Sequence, residues 1–326
     1  MKMLRIGLLV GTLGLIFAQV GYAQQENTYT QFMQNKLIVN PAYCGSHFAG
    51  EINVLNRNQW IGLEGAPQTQ LITFDMPLMD YRVGVGGGVI RDSYGATNRY
   101  TFENYYAYRI PLGYGFLGIG LQWSLRYLRV NFDELASSLP FGVDGAVPAG
   151  LVSKLVPNFG SGIYYNAENW FVGISVPRLL ESNIELLDDG VEISRETRSF
   201  YFMGGVIVPL GYDLSLQPQV LCKYLKGAPF EADINLNIFF KEKYSLGLSY
   251  RLGSGETSAI GSAISFLTMI EVIDRLLVGI SYDYTISNFN NYQNGSLEIG
   301  MRYYLKGKNE GENYQNPRFP NQSKLF

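Results

Sequence analysis

The sequence predicts an all-β protein, a transmembrane antiparallel β-barrel of about 14 strands preceded by a signal peptide. The prediction rests on low charge, fine alternation of apolar and polar residues, and the lack of a helical membrane span after the N-terminus. Only 16% of the 326 residues are charged and 14% are aromatic, while the mean hydropathy is +0.00. Soluble domains carry about 25% charge, and a near-zero average with so little charge is typical of alternating strands.

Residues 1–23 have the pattern of a secretory signal peptide. Lys2 and Arg5 supply positive charge, residues 6–20 are uncharged and rich in Leu, Ile and Val, and Gly21 and Ala23 place small residues before a cleavage site. The pattern predicts export of the mature chain. The alternative is an uncleaved membrane anchor.

The longest uncharged stretch of the exported chain, residues 110–125, does not favour a membrane-spanning helix. It holds 16 residues, among them Pro111 and four glycines, whereas a spanning helix needs about 20 apolar residues. If the exported chain enters a membrane, it must therefore do so as a closed barrel, in which every backbone group is paired between strands.

Period-2 runs bounded by Gly, Pro, Asn and Asp predict the strands, most of them about 9–13 residues long, as a tilted membrane strand requires. Ile280, Tyr282 and Tyr284, for example, alternate with Ser281 and Asp283. The predicted strands cover residues 51–59, 68–75, 83–91, 98–110, 115–130, 158–166, 169–176, 198–208, 214–226, 231–240, 244–251, 258–270, 275–286 and 295–305.

The lengths of the connections also fit an outer-membrane barrel, which alternates short periplasmic turns with longer extracellular loops. The two longest connections, residues 131–157 and 177–197, fall at one predicted end, and six short turns fall at the other. We therefore predict an outer-membrane protein whose N- and C-termini are periplasmic. A soluble β-sandwich is the alternative, but it would rarely cluster Tyr and Phe at strand ends.

Two segments flank the predicted barrel of residues 51–305. Residues 24–50 are polar and loop-like, and we predict a periplasmic or plug segment there. Residues 306–326 are charged, rich in Asn and Pro, and lack apolar periodicity. We expect a periplasmic C-terminal tail, which either binds a partner or is a disordered extension.

The residue inventory favours no enzyme chemistry, and we predict no catalytic residue, no cofactor and no metal site. The chain has one His and two Cys, and its net charge of −3 argues against nucleic acid as a partner. The glycines of residues 84–88 lie within a strand with no following helix, so they indicate a bend or close packing by a plug rather than a phosphate loop. His47 precedes the first strand, with no recognisable serine or carboxylate partner.

The two cysteines leave two interpretations open. Cys44 precedes the barrel, whereas Cys222 lies in the ninth predicted strand. A disulfide would need the N-terminal segment to rise through the lumen; two free thiols is the simpler alternative.

Unusual polar and aromatic residues mark two outer loops. Arg57, Gln59 and Trp60, followed by Gly65 and Pro67, form the first loop. Asp92 and Asn98 mark the second loop. These residues either fix loop shapes that bind a partner, or they serve turn formation and hydrogen bonding in the lumen.

Several motifs in chain order resemble the PorP/SprF family. The first are Asn40-Pro41-Ala42-Tyr43, Arg57-x-Gln59-Trp60-x-Gly62 and Gly65-Ala66-Pro67-x-Thr69. They are followed by Tyr106-Ala107-Tyr108-Arg109-Ile110, Gly160-x-Gly162-x-Tyr164, Gly173-x-Ser175-x-Pro177, Ser281-Tyr282-Asp283-Tyr284-Thr285 and Gly295-Ser296-Leu297-Glu298-Ile299. The resemblance covers essentially the whole mature chain, although Cys44 stands where a small Ala is expected.

The resemblance implies a non-enzymatic outer-membrane component of the type IX secretion system in Bacteroidota. One kind of family member associates with the PorK/PorN-type periplasmic ring and a peptidoglycan-binding protein; the other helps one large secreted surface adhesin, as in gliding motility. Besides outer-membrane lipid, these are the expected partners. The predicted partner-binding residues are Asn40, Pro41, Tyr43, Arg57, Gln59, Trp60, Gly65, Pro67, Asp92 and Asn98. The alternative functions are an autonomous porin-like channel for small solutes and, less favoured, a lipid-modifying enzyme.

Overall fold

The computed structural model describes residues 29–305 except 48, 133–149, 186–191, 227, 242, 254–262 and 287. These residues include three short 3-10 turns, at Lys36–Ile38, Pro41–Tyr43 and Asn288–Asn291. Within the same residues, none of the helices has the length and apolar character needed to cross a membrane. The predicted signal peptide and C-terminal tail lie outside the described residues.

Seventeen strands make up the rest of the regular structure. They are β1 (Glu51–Asn58), β2 (Gln68–Leu78), β3 (Val83–Tyr94), β4 (Thr97–Leu112), β5 (Gly115–Asn131), β6 (Leu151–Asn166), β7 (Trp170–Val176), β8 (Ser182–Glu185), β9 (Glu192–Glu196), β10 (Ser199–Val206), β11 (Val208–Pro209), β12 (Leu214–Leu225), β13 (Glu231–Phe240), β14 (Tyr244–Leu252), β15 (Ala263–Ile273), β16 (Leu276–Thr285) and β17 (Ser296–Tyr304).

Fourteen of these strands form a closed antiparallel barrel. Strand β1 pairs with both β2 and β17, and β10 pairs with both β7 and β12, so the main sheet has no open side. The short β11 continues β10 past Ile207 and pairs with β12. The predicted fourteen-strand barrel is confirmed, and the sandwich alternative is wrong, because a sandwich has two separate sheets.

The main differences from the predicted strands concern the two long connections. Strand β6 begins at Leu151, seven residues before its predicted start, because residues 151–157 pair with β5 beyond the rest of the wall. Strands β8 and β9 form a separate hairpin inside the predicted 177–197 loop. Their four- and five-residue lengths offered too little periodicity for detection from sequence.

The barrel wall exposes apolar side chains outward and places polar side chains inward. In β4, Phe102, Tyr106 and Tyr108 are 44–47% exposed on the outside, whereas Thr101 and Glu103 are buried on the inside. Strand β16 shows the same alternation. This is the arrangement expected of strands that face lipid on one side and a protein-filled lumen on the other.

The two ends of the barrel differ as the sequence predicted. At the short-turn end, five of the six connections have four residues or fewer between strands, and the sixth, between β10 and β12, contains β11. The wall also begins at Glu51 and ends at Tyr304 on this side. The long-loop end carries the connections after β5 and β7, although its turn at Gly95 and Ala96 has only two residues.

Candidate functional site

The lumen is filled by residues 29–47, called the lumen segment below. Phe32 and Leu37 are each 1% exposed, and Asn40 and Tyr43 are 0% exposed. Part of its local shape comes from Asn40, whose Oδ1 accepts a hydrogen bond from the Ala42 backbone N–H at 2.9 Å. Pro41 then begins a 3-10 turn with a fixed φ.

The lumen segment crosses the barrel from one end to the other. At one extreme, Thr30 contacts Arg57, Asp283 and Glu298, which lie within three residues of strand termini at the long-loop end. At the other extreme, the Gly45 backbone N–H donates to Asp75, which faces Glu51 at the short-turn end. The segment therefore occupies most of the length of the lumen.

One side of the lumen, which we call the glycine wall, presents five glycines to the segment. A Cβ on Gly120 would overlap the Ala42 backbone nitrogen, and one on Gly162 would overlap the Asn40 side chain. The wall consists of Gly84, Gly118, Gly120, Gly162 and Gly173 on β3, β5, β6 and β7. Glycine is required here because a Cβ would overlap segment backbone at Gly84, Gly118 and Gly120, and the Asn40 side chain at Gly162 and Gly173.

Hydrogen bonds between the lumen segment and the wall add to this close packing. Asn40 Nδ2 donates to the Ile163 carbonyl oxygen at 3.0 Å, and Ser175 Oγ donates to the Val39 carbonyl oxygen at 2.6 Å. Three sequence motifs that lie far apart in the chain, at Asn40, Gly162 and Ser175, therefore meet inside the barrel. Tyr43 and Tyr164 also stack edge to face, with ring centroids 5.4 Å apart.

Lys36 brings an amino group into the middle of this packing. Its Nζ donates to the Met33 carbonyl oxygen at 3.0 Å and lies 4.8 Å from the Phe171 ring centroid. In the described part of the chain, no carboxylate lies within ion-pair distance of it. Burial, followed by the nearby charge of Arg302, lowers the pKa of Lys36 to about 7, although Glu51 opposes that shift.

A second side of the lumen, which we call the amide wall, is polar. It consists of Gln217, Gln219, Asn235 and Asn237 on β12 and β13, all buried. Neither amide atom of Gln219 has a hydrogen-bond partner among the described protein groups. A cavity of about 20 Å³, enough for a water molecule, separates Gln217 and Asn237 from Gln31, Met33 and Gln34 of the lumen segment.

A buried ionic cluster at the long-loop end, called the carboxylate latch, holds the start of the lumen segment. Arg57 pairs with Asp283 at 2.7 Å and with Glu298 at 2.8 Å. The Glu298 carboxylate also accepts the backbone N–H groups of Thr30 and Gln31 at 3.1 and 2.8 Å. Within the latch, side-chain charges on the wall thus bind backbone groups of the segment.

A second buried cluster joins the lumen segment to the wall at the short-turn end. His47 Nε2 lies 2.9 Å from Glu51 and contacts the Tyr43 hydroxyl, while Arg109 donates to the Gly45 carbonyl oxygen at 2.7 Å. Burial lowers the pKa of His47, although Glu51 raises it. His47 is therefore part of the structural contact between the lumen segment and the wall.

The first long loop, residues 59–67, bridges its two neighbours at the long-loop end. The Ile61 backbone N–H donates to the Gly295 carbonyl oxygen at 2.8 Å, and the Gly95 N–H donates to the Gly65 carbonyl oxygen at 2.9 Å. Gly65 has a φ of 71°, which favours glycine. The loop is therefore hydrogen-bonded on both sides, yet it leaves Ile61 and Leu63 exposed at 39% and 37%.

The structure divides the ten predicted partner-binding residues into two groups. Five point into the protein: Asn40, Pro41 and Tyr43 lie in the lumen segment, Arg57 in the latch, and Asp92 is buried with bonds to Thr69 and Arg99. Gln59, Trp60, Gly65 and Pro67 belong to the first long loop, and half-buried Asn98 pairs with Ser93 in the β3–β4 ladder. In this conformation only the second group is placed to meet a partner.

Some central residues escaped the sequence analysis. Asp283 and Glu298 were assigned to strand faces, but nothing local indicated that they would bind Thr30 and Gln31, more than 250 positions away. Both cysteines are free: Cys44 is buried in the lumen and Cys222 lies outside the barrel wall. Among the described residues, no His, Cys, Asp and Glu cluster is suited to a metal ion.

The closed strand barrel, its lipid-facing exterior and its filled lumen define an outer-membrane β-barrel protein. The family model for type IX secretion system membrane protein PorP/SprF matches residues 21–303. The chain therefore belongs to the PorP/SprF family and is a type IX secretion membrane component. A comparison with curated protein sequences finds no match.

Two of the solved structures that this chain resembles are a toluene transporter and an outer membrane protein. The Ralstonia pickettii toluene transporter TbuX has a TM-score of 0.50 at 7% identity, with 89% of this chain and 97% of that chain covered. The Acinetobacter baumannii outer membrane protein Omp33 has a TM-score of 0.48 at 8% identity, with 80% of this chain and 100% of that chain covered. At such identities the likeness concerns the fold alone.

Proposed function

We propose that this protein is a non-enzymatic component of the type IX secretion machinery that binds protein partners and keeps its own lumen closed. The observation that carries the proposal is the lumen segment, which fills the barrel and is bonded to its wall at both ends. A barrel filled in this way is better suited to a scaffold than to a conduit for an unfolded polypeptide.

The first long loop is the proposed partner surface. It is held in one shape by backbone hydrogen bonds to Gly95 and Gly295, so binding would cost little ordering entropy. It also presents two exposed aliphatic side chains, Ile61 and Leu63, next to Trp60. At this extracellular end the loop's partner is one large exported surface protein, whereas the PorK/PorN-type ring with its peptidoglycan-binding protein would bind at the periplasmic end.

The proposed orientation places the long-loop end outside the cell and the short-turn end in the periplasm. The C-terminal tail would then follow Tyr304 into the periplasm, where ring components could contact it. The described chain starts at the long-loop end, with Thr30 bound to Glu298. Periplasmic placement of the N-terminus and extracellular long loops both stay predictions.

Affinity purification from native outer membranes in mild detergent, with mass spectrometry of bound proteins, tests the proposal. Ring components would identify a core machine component, and a single large surface protein would identify a dedicated helper. Trp60→Ala should keep the barrel folded but reduce partner recovery and secretion, since interface aromatics commonly contribute about 2 kcal/mol or more. Phe230→Ala, a 56% exposed aromatic at the same end, is the matched control.

Two outcomes would contradict the proposal. Loss of the folded barrel in Trp60→Ala would give this residue a structural role only. Absence of any partner, together with steady conductance of the purified protein in planar bilayers, would favour the autonomous porin. Deletion of residues 306–326 tests the tail separately, and unchanged partner recovery and secretion would exclude it as a docking element.

A further inference from the structure

The lumen segment is attached to the barrel in two different ways. Its second half, from Lys36 to Gly45, fits against the glycine wall and continues through the join into β1. Its first half, from Thr30 to Gln34, lies beside the cavity at the amide wall. The carboxylate latch provides most of the polar contacts of this first half.

The contacts of the latch are concentrated on one residue. Thr30 Oγ1 donates to both carboxylate oxygens of Asp283 at 2.7 and 2.8 Å, and its backbone N–H donates to Glu298 at 3.1 Å. Arg57 Nη1 lies 3.1 Å from the same hydroxyl oxygen. The side chains of Arg57, Asp283 and Glu298 are 4% exposed or less.

The charges of the cluster show why it binds hydrogen-bond donors. Arg251 pairs with Asp233 at 2.7 Å and lies 3.9 Å from Asp283. Two guanidinium groups, of Arg57 and Arg251, thus face three carboxylates. The N–H and O–H groups of Thr30 and Gln31 provide the remaining stabilisation for the extra negative charge. Ser265 on the wall also bonds Asp283, but the donors of Thr30 and Gln31 come from the segment, so these bonds exist only while the segment is bound.

We propose that the carboxylate latch is the release point of an internal gate. Residues 30–34 leave Asp283 and Glu298 while residues 36–45 stay on the glycine wall, and the cavity widens into a polar passage along the amide wall. The first half borders this water-sized cavity, whereas the backbone of the second half, at Ala42 and Cys44, lies directly against the glycine wall. This gate goes beyond the proposed partner binding and does not depend on it.

Two cysteine reporters in one chain can test the gate. In a Cys222→Ser background, Met33→Cys reports on the first half, and the native Cys44 reports on the second. Both parent residues are buried, at 8% and 0% exposure, and burial also raises the pKa of the Cys44 thiol, which keeps it unreactive. Labelling with a membrane-impermeant maleimide is followed by mass spectrometry in isolated outer membranes.

Glu298→Gln should increase the labelling rate at position 33 at least tenfold and leave Cys44 protected. Glu196→Gln is the matched control, because Glu196 is another buried carboxylate at the long-loop end but pairs with Arg126 on the wall. Thr30→Val, which removes only the hydroxyl, should give a smaller increase and covers the case in which Glu298→Gln fails to fold. Unchanged labelling in both latch variants, or equal exposure of positions 33 and 44, would overturn the gate.

Discussion

The glycine wall and the amide wall contact the lumen segment in different ways. On the glycine wall the barrel removes its side chains, so that the segment backbone at Ala42 lies directly against β5. On the amide wall the barrel keeps long polar side chains such as Gln217 and Gln219, and a cavity remains. The difference indicates that closure of the lumen depends on the glycine wall, whereas the amide wall tolerates change.

The strongest test of this contrast is Gly120→Val. The new Cβ would overlap backbone atoms of Pro41 and Ala42, which cannot rotate away as a side chain can, so we expect about 3 kcal/mol or more of destabilisation. The measurement is the unfolding midpoint in urea. Gly204→Ala on β10 is the control, because its Cβ would meet nothing closer than 3.6 Å, and it should leave the unfolding midpoint nearly unchanged. Equal shifts of the midpoint in both variants would contradict a special role for the glycine wall.

Asn40→Ala tests whether hydrogen bonds reinforce the fit by shape. The variant loses the bonds to Ala42 and Ile163 and leaves buried backbone groups without this partner, which costs about 1–3 kcal/mol. We expect a lower unfolding midpoint than wild type but a higher one than Gly120→Val. A midpoint equal to that of wild type would show that shape alone holds the segment.

Lys36→Met tests the buried amino group through pH. The folded pKa of Lys36 is about 7, below its ordinary value of 10.5, so the unfolded state binds more protons between these values. The contribution of Lys36 to the free energy of unfolding therefore rises as pH increases from 7 toward 10.5, and it is lowest below pH 7. Lys36→Met should flatten the dependence of the unfolding midpoint on pH between 7 and 9; an unchanged slope would contradict the assignment.

The smallest effect is expected at the amide wall, in Gln219→Leu. Its amide atoms have no protein partner among the described residues, so replacement should change stability by no more than about 0.5–1 kcal/mol. The same urea titration measures it. A loss comparable to that of Asn40→Ala would mean that the two walls contribute alike.

The strands of the barrel could be predicted from the sequence, but the contacts of the lumen segment could not. Period-2 alternation is local, so the fourteen strands and the two kinds of connection could be predicted from segments such as Ile280–Asp283. The contact of Asn40 with Gly162 depends on how the sheet closes, which no local pattern reveals. Arg57 was grouped with the first outer loop, whereas it lies in β1 and its partners lie on β16 and β17, far away in the chain.

The most direct test of the central claim, that residues 29–47 occupy the lumen, is a disulfide between segment and wall. Asn35 Nδ2 donates to Thr73 Oγ1 at 2.8 Å, so an Asn35→Cys/Thr73→Cys pair, in a Cys44→Ser/Cys222→Ser background, should cross-link in native outer membranes under mild oxidation. The control pair is Asn35→Cys/Ile72→Cys, because Ile72 is the neighbouring residue on the outer face and is 49% exposed. A cross-link in the first pair alone is the predicted result; no cross-link in a folded barrel, or equal yields in both pairs, would contradict the account.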